Sequence, residues 1–360
     1  MRLLVDAHVF DGKFQGTRTY LEGLYCRLIR HTDIEFYFAA KNTEQLQQVF
    51  GTATNIHYVR LNSNNRWKRL AWEFPQIVKK HHIDYAHYQY ITPLWKFCKE
   101  IVTTHDLLFL DFPQYFTLSY SLPKHILFKR SAKRADILLT VSEYAQKSIA
   151  RNFNINQHNI HITYNSILSE ENAGGNVDLK EKFGLDKYIL TVSRIEPRKN
   201  HLSLLRAYVD LELSARGYHL VMVGSKDLAY KSFFDYLECI DNEQKRYIHF
   251  LEVPFEDLVA LYKNAALFVF PSFAEGFGIP PLEALAYGCP LLCSNATAMG
   301  EFELPEAVTF NPNNYEELIQ KMESQLCAPL DLEDAKQRIM EKYNWEDIAD
   351  KFYRLLKDLT

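Results

Sequence analysis

The sequence predicts an α/β chain built from two doubly wound, parallel-sheet domains. Short apolar runs alternate with helix-periodic stretches along the whole chain, the pattern of repeated strand–helix–strand units. With 360 residues, the chain exceeds the roughly 250–300 at which a single core stops growing. Glycine- and proline-bearing loops follow several apolar runs, at the strand ends where open α/β sheets carry ligands. In order, strands are expected at Arg2–Asp6, 34–40, Ile56–Arg60, 85–88, 101–104, 137–141 and, closing the first domain, 160–165. Ser142 caps the helix that follows the sixth of these. Residues 169–180, with Gly174-Gly175 and several acids, read as a linker. The second half supplies strands at 188–193, His219–Val223, Ile248–Leu251, 267–271 and 290–294. An amphipathic segment from Tyr343-Asn344-Trp345 ends the chain, so the expected boundaries are 1–168, 169–340 and 341–360.

The densest chemistry lies in Pro271-Ser272-Phe273-Ala274-Glu275-Gly276-Phe277-Gly278-Ile279-Pro280-Pro281-Leu282-Glu283. Glu275 sits in a glycine loop after the apolar run Ala266-Leu267-Phe268-Val269-Phe270. Glu283 falls where Pro280 and Pro281 start a helix. A strand, a glycine loop and a helix start together offer free backbone N–H groups and a positive dipole end to an anion. Carboxylates beside such a ligand accept hydrogen bonds from its hydroxyls. Upstream, Ile189-Leu190-Thr191-Val192-Ser193 reads as a buried strand. Arg194-Ile195-Glu196-Pro197-Arg198-Lys199-Asn200 follows it, with three cations around a turn. In the first half, Ile101-Val102-Thr103-Thr104-His105-Asp106-Leu107 reads as a strand ending in His-Asp. Gly16-Thr17-Arg18-Thr19-Tyr20 opens the first long helix.

These segments resemble the E-x7-E motif, the R-x-E-P-R-K-N loop, the H-D-L strand end and the N-terminal glycine turn of retaining glycosyltransferases. The family includes bacterial mannosyl- and glucosyltransferases of polysaccharide and lipopolysaccharide type. The resemblance runs from about Gly16 to Trp345. It implies the GT-B fold: two Rossmann-like domains facing across a cleft, an acceptor-side domain followed by a nucleotide-sugar domain, and a C-terminal helix returning to the first domain. It implies transfer of a hexose, mannose favoured, from a GDP- or UDP-sugar to a hydroxyl of a glycan or lipid-linked acceptor, with retention and without a cofactor; no D-x-D pair sits on a loop with flanking support, so transfer without a metal is expected.

By the same resemblance, His105 and Glu275 are catalytic. Arg194 and Lys199 hold the diphosphate, and Arg198 is a solvated bystander. Glu283 binds the ribose, and the N–H groups of Gly276, Phe277 and Gly278 accompany Glu275 at the sugar. Asp106 either holds the imidazole tautomer or contacts the acceptor. Gly16 approaches the diphosphate, and Arg18 stands where the family has a second glycine, offering a guanidinium to phosphate instead. Two further departures, Glu252 where a glycine is common and the lack of an obvious glycine after Glu301, leave the donor base open. An NDP-sugar epimerase and a non-catalytic nucleotide-sugar binding module are the alternatives.

Net charge is −4, but residues 1–165 carry 21 Lys/Arg against 13 Asp/Glu, and residues 166–360 carry 20 against 32. In the first half the cations sit beside Trp67, Trp95 and Phe128, a pattern suited to an anionic membrane surface or a diphosphate-linked acceptor rather than to nucleic acid. No apolar run approaches about 20 residues, and Asp6 interrupts the N-terminal run, so a cytoplasmic chain with at most peripheral attachment is expected. The six cysteines are scattered and form neither a zinc pattern nor a disulfide framework.

Overall fold

A computed structural model of the chain describes residues 1–12, 16–168, 177–227 and 230–358. They form two compact units: Met1–Leu168 with Tyr343–Thr360, and Ser169–Lys342. Most of the expected linker, residues 169–176, lies outside the described residues. Residues 177–180 enter the short helix Leu179–Phe183, which Asp178 caps by accepting the N–H groups of Lys180 and Glu181.

In the first unit, seven strands pair in parallel: β1 (Arg2–Asp6), β2 (Glu35–Ala40), β3 (Ile56–Arg60), β4 (Tyr85–Gln89), β5 (Lys99–Thr103), β6 (Ile137–Thr140) and β7 (Ile160–Ile162). Their order is β3-β2-β1-β4-β5-β6-β7. The winding reverses between β1 and β4, and at such a switch the loops diverge and leave a crevice at the carboxyl ends. Ser142 accepts the N–H of Ala145 at 3.0 Å and caps the helix Glu143–Phe153.

The C-terminal helix Trp345–Asp358 packs on the helix Gly16–Leu28. Gly23 makes the contact possible, since a Cβ there would lie 2.0 Å from the Trp345 indole. The indole Nε1 donates to the Ile167 carbonyl at 2.9 Å, and Tyr353 stacks on His31. Arg30–Glu346 and Lys357–Asp33 add ion pairs at the rim.

The second unit carries six parallel strands: β8 (Tyr188–Val192), β9 (His219–Val223), β10 (Ile248–Leu251), β11 (Leu267–Phe270), β12 (Leu291–Ser294) and β13 (Thr309–Phe310). The order β10-β9-β8-β11-β12-β13 reverses between β8 and β11. The sequence reading lacks β13. Two residues give no period, and the strand exists only because β12 offers it an edge.

Candidate active site

In the second unit, the two motif loops leave neighbouring strands at the switch point. The Arg194–Lys199 segment follows β8, and the Glu275 loop follows β11. Backbone ties them together, because the Phe273 N–H donates to the Arg198 carbonyl at 2.9 Å. The Glu275 carboxylate is buried and held at both oxygens. Lys199 Nζ reaches Oε1 at 2.5 Å, Arg198 Nη1 reaches Oε2 at 3.1 Å, and Ser272 Oγ donates to Oε1 at 2.7 Å. Burial alone would raise its pKa. The charges of Lys199 and Arg198 outweigh that and hold it down to about 2. Burial pushes the Lys199 ammonium down, against the pull of Glu275. The Glu275 N–H donates to Thr297 Oγ1 at 2.9 Å, from a threonine held at φ 54°.

Arg198 is therefore not a solvated bystander. It is half-buried, pairs with Glu275, donates to Glu196 Oε1 at 2.6 Å and reaches the Ala274 carbonyl. Arg194 is the exposed member, its side chain 64% accessible and only 3.8 Å from Glu196. The Pro197–Lys199 turn produces this reversal by aiming Arg198 back at the Glu275 loop, which spacing alone does not reveal.

Glu283 lies in the first turns of the helix Ile279–Ala286, and its Oε2 accepts the Tyr262 hydroxyl at 2.8 Å. Burial raises its pKa, so it differs electrostatically from Glu275. Gly278 is the N-cap of that helix at φ 106°, a conformation that favours glycine. Gly276 and Phe277 are buried in the same loop, with Phe277 edge-on to Phe302. The sequence reading passed over Gly224, at φ 143°. A Cβ there would fall 2.2 Å from the Ser193 carbonyl oxygen, so the β9 loop can lie against the basic loop only as glycine. It also passed over His201, which sits behind that loop with Nε2 at 3.2 Å from Ser193 Oγ and is pushed down to about 3 by burial.

In the first unit, His105 follows β5 and is buried against the rings of Tyr20 and Tyr90. Its Nε2 lies 2.7 Å from Gln89 Oε1. Gln89 Nε2 meets His87 Nε2 at 3.3 Å, and His87 Nδ1 meets the Tyr25 hydroxyl at 2.6 Å. Gln89 Oε1 can only accept, so His105 carries its proton on Nε2 and leaves Nδ1 as a lone pair. Burial pushes both imidazoles down to about 3, which keeps them neutral. The register explains the assembly: Gln89 pairs with Thr103, His87 lies two residues before Gln89 on the same face of β4, and His105 lies two residues past the end of β5.

Asp106 accepts the Leu108 N–H at 3.1 Å and the Tyr90 hydroxyl at 3.5 Å, so it organises the strand end rather than holding the His105 tautomer, a task that falls to Gln89. Gly16 is exposed at the start of its helix. Arg18 is turned to packing, its guanidinium 4.9 Å from the Phe10 ring centroid and its Nε 3.6 Å from Glu22, so pairing with phosphate would require it to leave both. Among the described residues, no cluster of three or more His, Cys, Asp or Glu side chains is arranged to ligate a metal.

The family model described as Glycosyl transferases group 1 matches residues 178–339, and Glycosyltransferase Family 4 matches residues 14–170. The chain is a glycosyltransferase. This glycosyltransferase is 29% identical over 295 residues to O-antigen chain mannosyltransferase B of Escherichia coli, covering 76% of each chain. It is 33% identical over 250 residues to the serotype-specific mannosyltransferase WbdA of Escherichia coli, covering 62% of this chain but only 29% of that larger protein. Its fold is GT-B. Sucrose-phosphate synthase from Thermosynechococcus elongatus superposes with a TM-score of 0.75 at 17% identity, covering 99% of this chain and 98% of that one.

Proposed function

We propose that this glycosyltransferase moves mannose from a nucleoside-diphosphate sugar, with retention and without a metal, to a hydroxyl of a glycan or lipid-linked acceptor. The observation that carries the proposal is the excess of cations at the switch point, where Arg194, Arg198 and Lys199 meet two carboxylates, Glu196 and Glu275. One further anion fits there, and a diphosphate supplies it. Mannose is favoured by what the two Escherichia coli relatives transfer.

In this reading the C1–O bond breaks with its electron pair leaving on the diphosphate, whose growing charge Lys199 and Arg194 meet. Glu275 stays ionised and accepts hydroxyls of the transferred sugar, and Glu283 accepts those of the ribose. The acceptor oxygen attacks C1 on the face the diphosphate leaves, and its proton passes to a departing phosphate oxygen. His105 contributes a neutral imidazole of fixed tautomer.

The test is turnover of GDP-, UDP- and ADP-sugars with and without a mannose-terminated glycan, in excess EDTA. The expected result is a product from GDP-mannose that keeps the donor's anomeric configuration. The double variant R194A/K199A should weaken nucleoside diphosphate binding by about 2–4 kcal/mol. Recovery of an epimerised nucleotide sugar, or binding without turnover, would replace the proposal with one of the two alternatives.

A further inference from the structure

The helix Leu118–Arg134 contains six basic side chains, Lys124, His125, Lys129, Arg130, Lys133 and Arg134, and no acid. It buries one face, with Phe128, Ser131 and Ala132 against the core. Phe128 is thus a core residue rather than part of the exposed aromatic pattern read from the sequence. The opposite face is exposed and apolar for its first turns: Leu118 is 85% accessible, Leu122 64% and Ile126 60%. At about 100° per residue, these three share an arc of about 80° with Lys129 and Lys133. The outward face therefore carries three aliphatic side chains and then two lysines.

Arg130 and Arg134 anchor the adjoining loop to the end of this helix. Arg134 Nη1 donates to the Leu94 carbonyl at 2.9 Å, and Arg130 Nη1 donates to the Pro93 carbonyl at 3.2 Å. That loop exposes Leu94, Trp95 and Phe97 beside Lys96. An aqueous helix face of this kind is ordinarily polar, and exposed aliphatics in series need an occupant.

We infer that this face docks on an anionic lipid bilayer, with Leu118, Leu122, Ile126 and Trp95 in the interface and Lys129 and Lys133 at the headgroups. Charge complementarity selects this occupant: the patch is basic, and no acidic residue of its helix opposes the attraction. A second copy of the chain would bring like charges together. The attachment is peripheral, since no helix of the described residues is long and apolar enough to cross a membrane. The inference is independent of the proposed transfer reaction.

The test is co-sedimentation of the full chain with phosphatidylcholine vesicles, with and without about a third phosphatidylglycerol, at low and high salt. Binding to the anionic vesicles should exceed binding to neutral ones by tenfold or more and fall steeply as salt shortens the Debye length. K129Q/K133Q should lower anionic binding by about 25-fold, about fivefold for each cation lost. L122D/I126D should abolish it while leaving circular dichroism and nucleoside diphosphate binding unchanged, which excludes misfolding. Wild-type recovery in the supernatant under every condition would overturn the inference. So would a self-associated chain that L122D/I126D converts to monomer without altering vesicle binding.

Discussion

The polar centre of the first unit is neutral, whereas that of the second is ionic. His105, Gln89, His87, Thr103, Tyr25 and Tyr20 are joined by hydrogen bonds, with both imidazoles uncharged. Glu275, Arg198, Lys199, Glu196 and Arg194 are joined by charge. A neutral network of directional bonds has one satisfied arrangement and holds a single ring in a single tautomer. An ionic cluster with a surplus cation can take up a further anion, because an incoming phosphate meets a charge that the carboxylates leave unbalanced. In the proposed reaction, one unit would present a fixed group and the other would accept a charged ligand.

The sharpest way to break this comparison is Glu275→Gln, which takes the carboxylate partner from Lys199 and leaves Arg198 only Glu196. Transfer should fall by about a hundredfold or more. The second unit should lose about 3–5 kcal/mol, the cost of breaking a buried pair. Nucleoside diphosphate should nevertheless bind the variant more tightly, because it now supplies the missing anion. Thermal melts and calorimetry measure both effects, and an unchanged melting temperature with weaker diphosphate binding would show that the cluster does not take up the diphosphate by charge.

Acid should separate the units next. An unfolded histidine takes its proton near pH 6.5, whereas His87 and His105 in the first unit and His201 in the second take theirs near about 3. Between those values the unfolded state binds more protons, so stability falls as pH drops, by about 1.4 kcal/mol per pH unit for each such histidine. Glu275 works in the same direction but in a lower window. Its stabilisation is intact above about 4.5 and is lost only as pH falls toward 2. With two such histidines, the first unit should therefore open before the second between pH 6.5 and 4.5, as read by hydrogen exchange. Gln89→Glu, placing a carboxylate on His105, should lift its pKa by about 1–3 units, visible in an NMR titration.

Packing makes a smaller difference. Gly23→Val drives a side chain into Trp345 and should cost the first unit about 1–3 kcal/mol, with a changed indole fluorescence and no effect on nucleotide binding. The smallest effect distinguishes the two arginines of the basic loop. Arg194→Ala, at an exposed side chain, should leave stability within about 0.5 kcal/mol. It should weaken diphosphate binding by about 1 kcal/mol. Arg198→Ala should lower the melting temperature of the second unit.

Much of this was legible in the chain. Glu275 and Glu283 stand out because glycines and prolines fix a strand–loop–helix at their spacing, and His105 because an apolar run ends at it. His87 and Gln89 carried a faint signal, two polar residues at period two in an otherwise aromatic strand, but their purpose depends on the register of β4 against β5. The reversal of Arg194 and Arg198 had none, since both follow the same strand within five residues.

The sequence by itself determined the alternation of strand and helix, the division into two domains and the identity of the motif loops, because these rest on local periodicity and on backbone preferences of glycine and proline. Only the tertiary structure decided which cation pairs with Glu275, which ring nitrogen of His105 bears the proton, and that Phe128 is buried while Leu118, Leu122 and Ile126 are not. Those outcomes depend on groups that strand order and helix packing bring together from distant parts of the chain, where sequence spacing carries no distance.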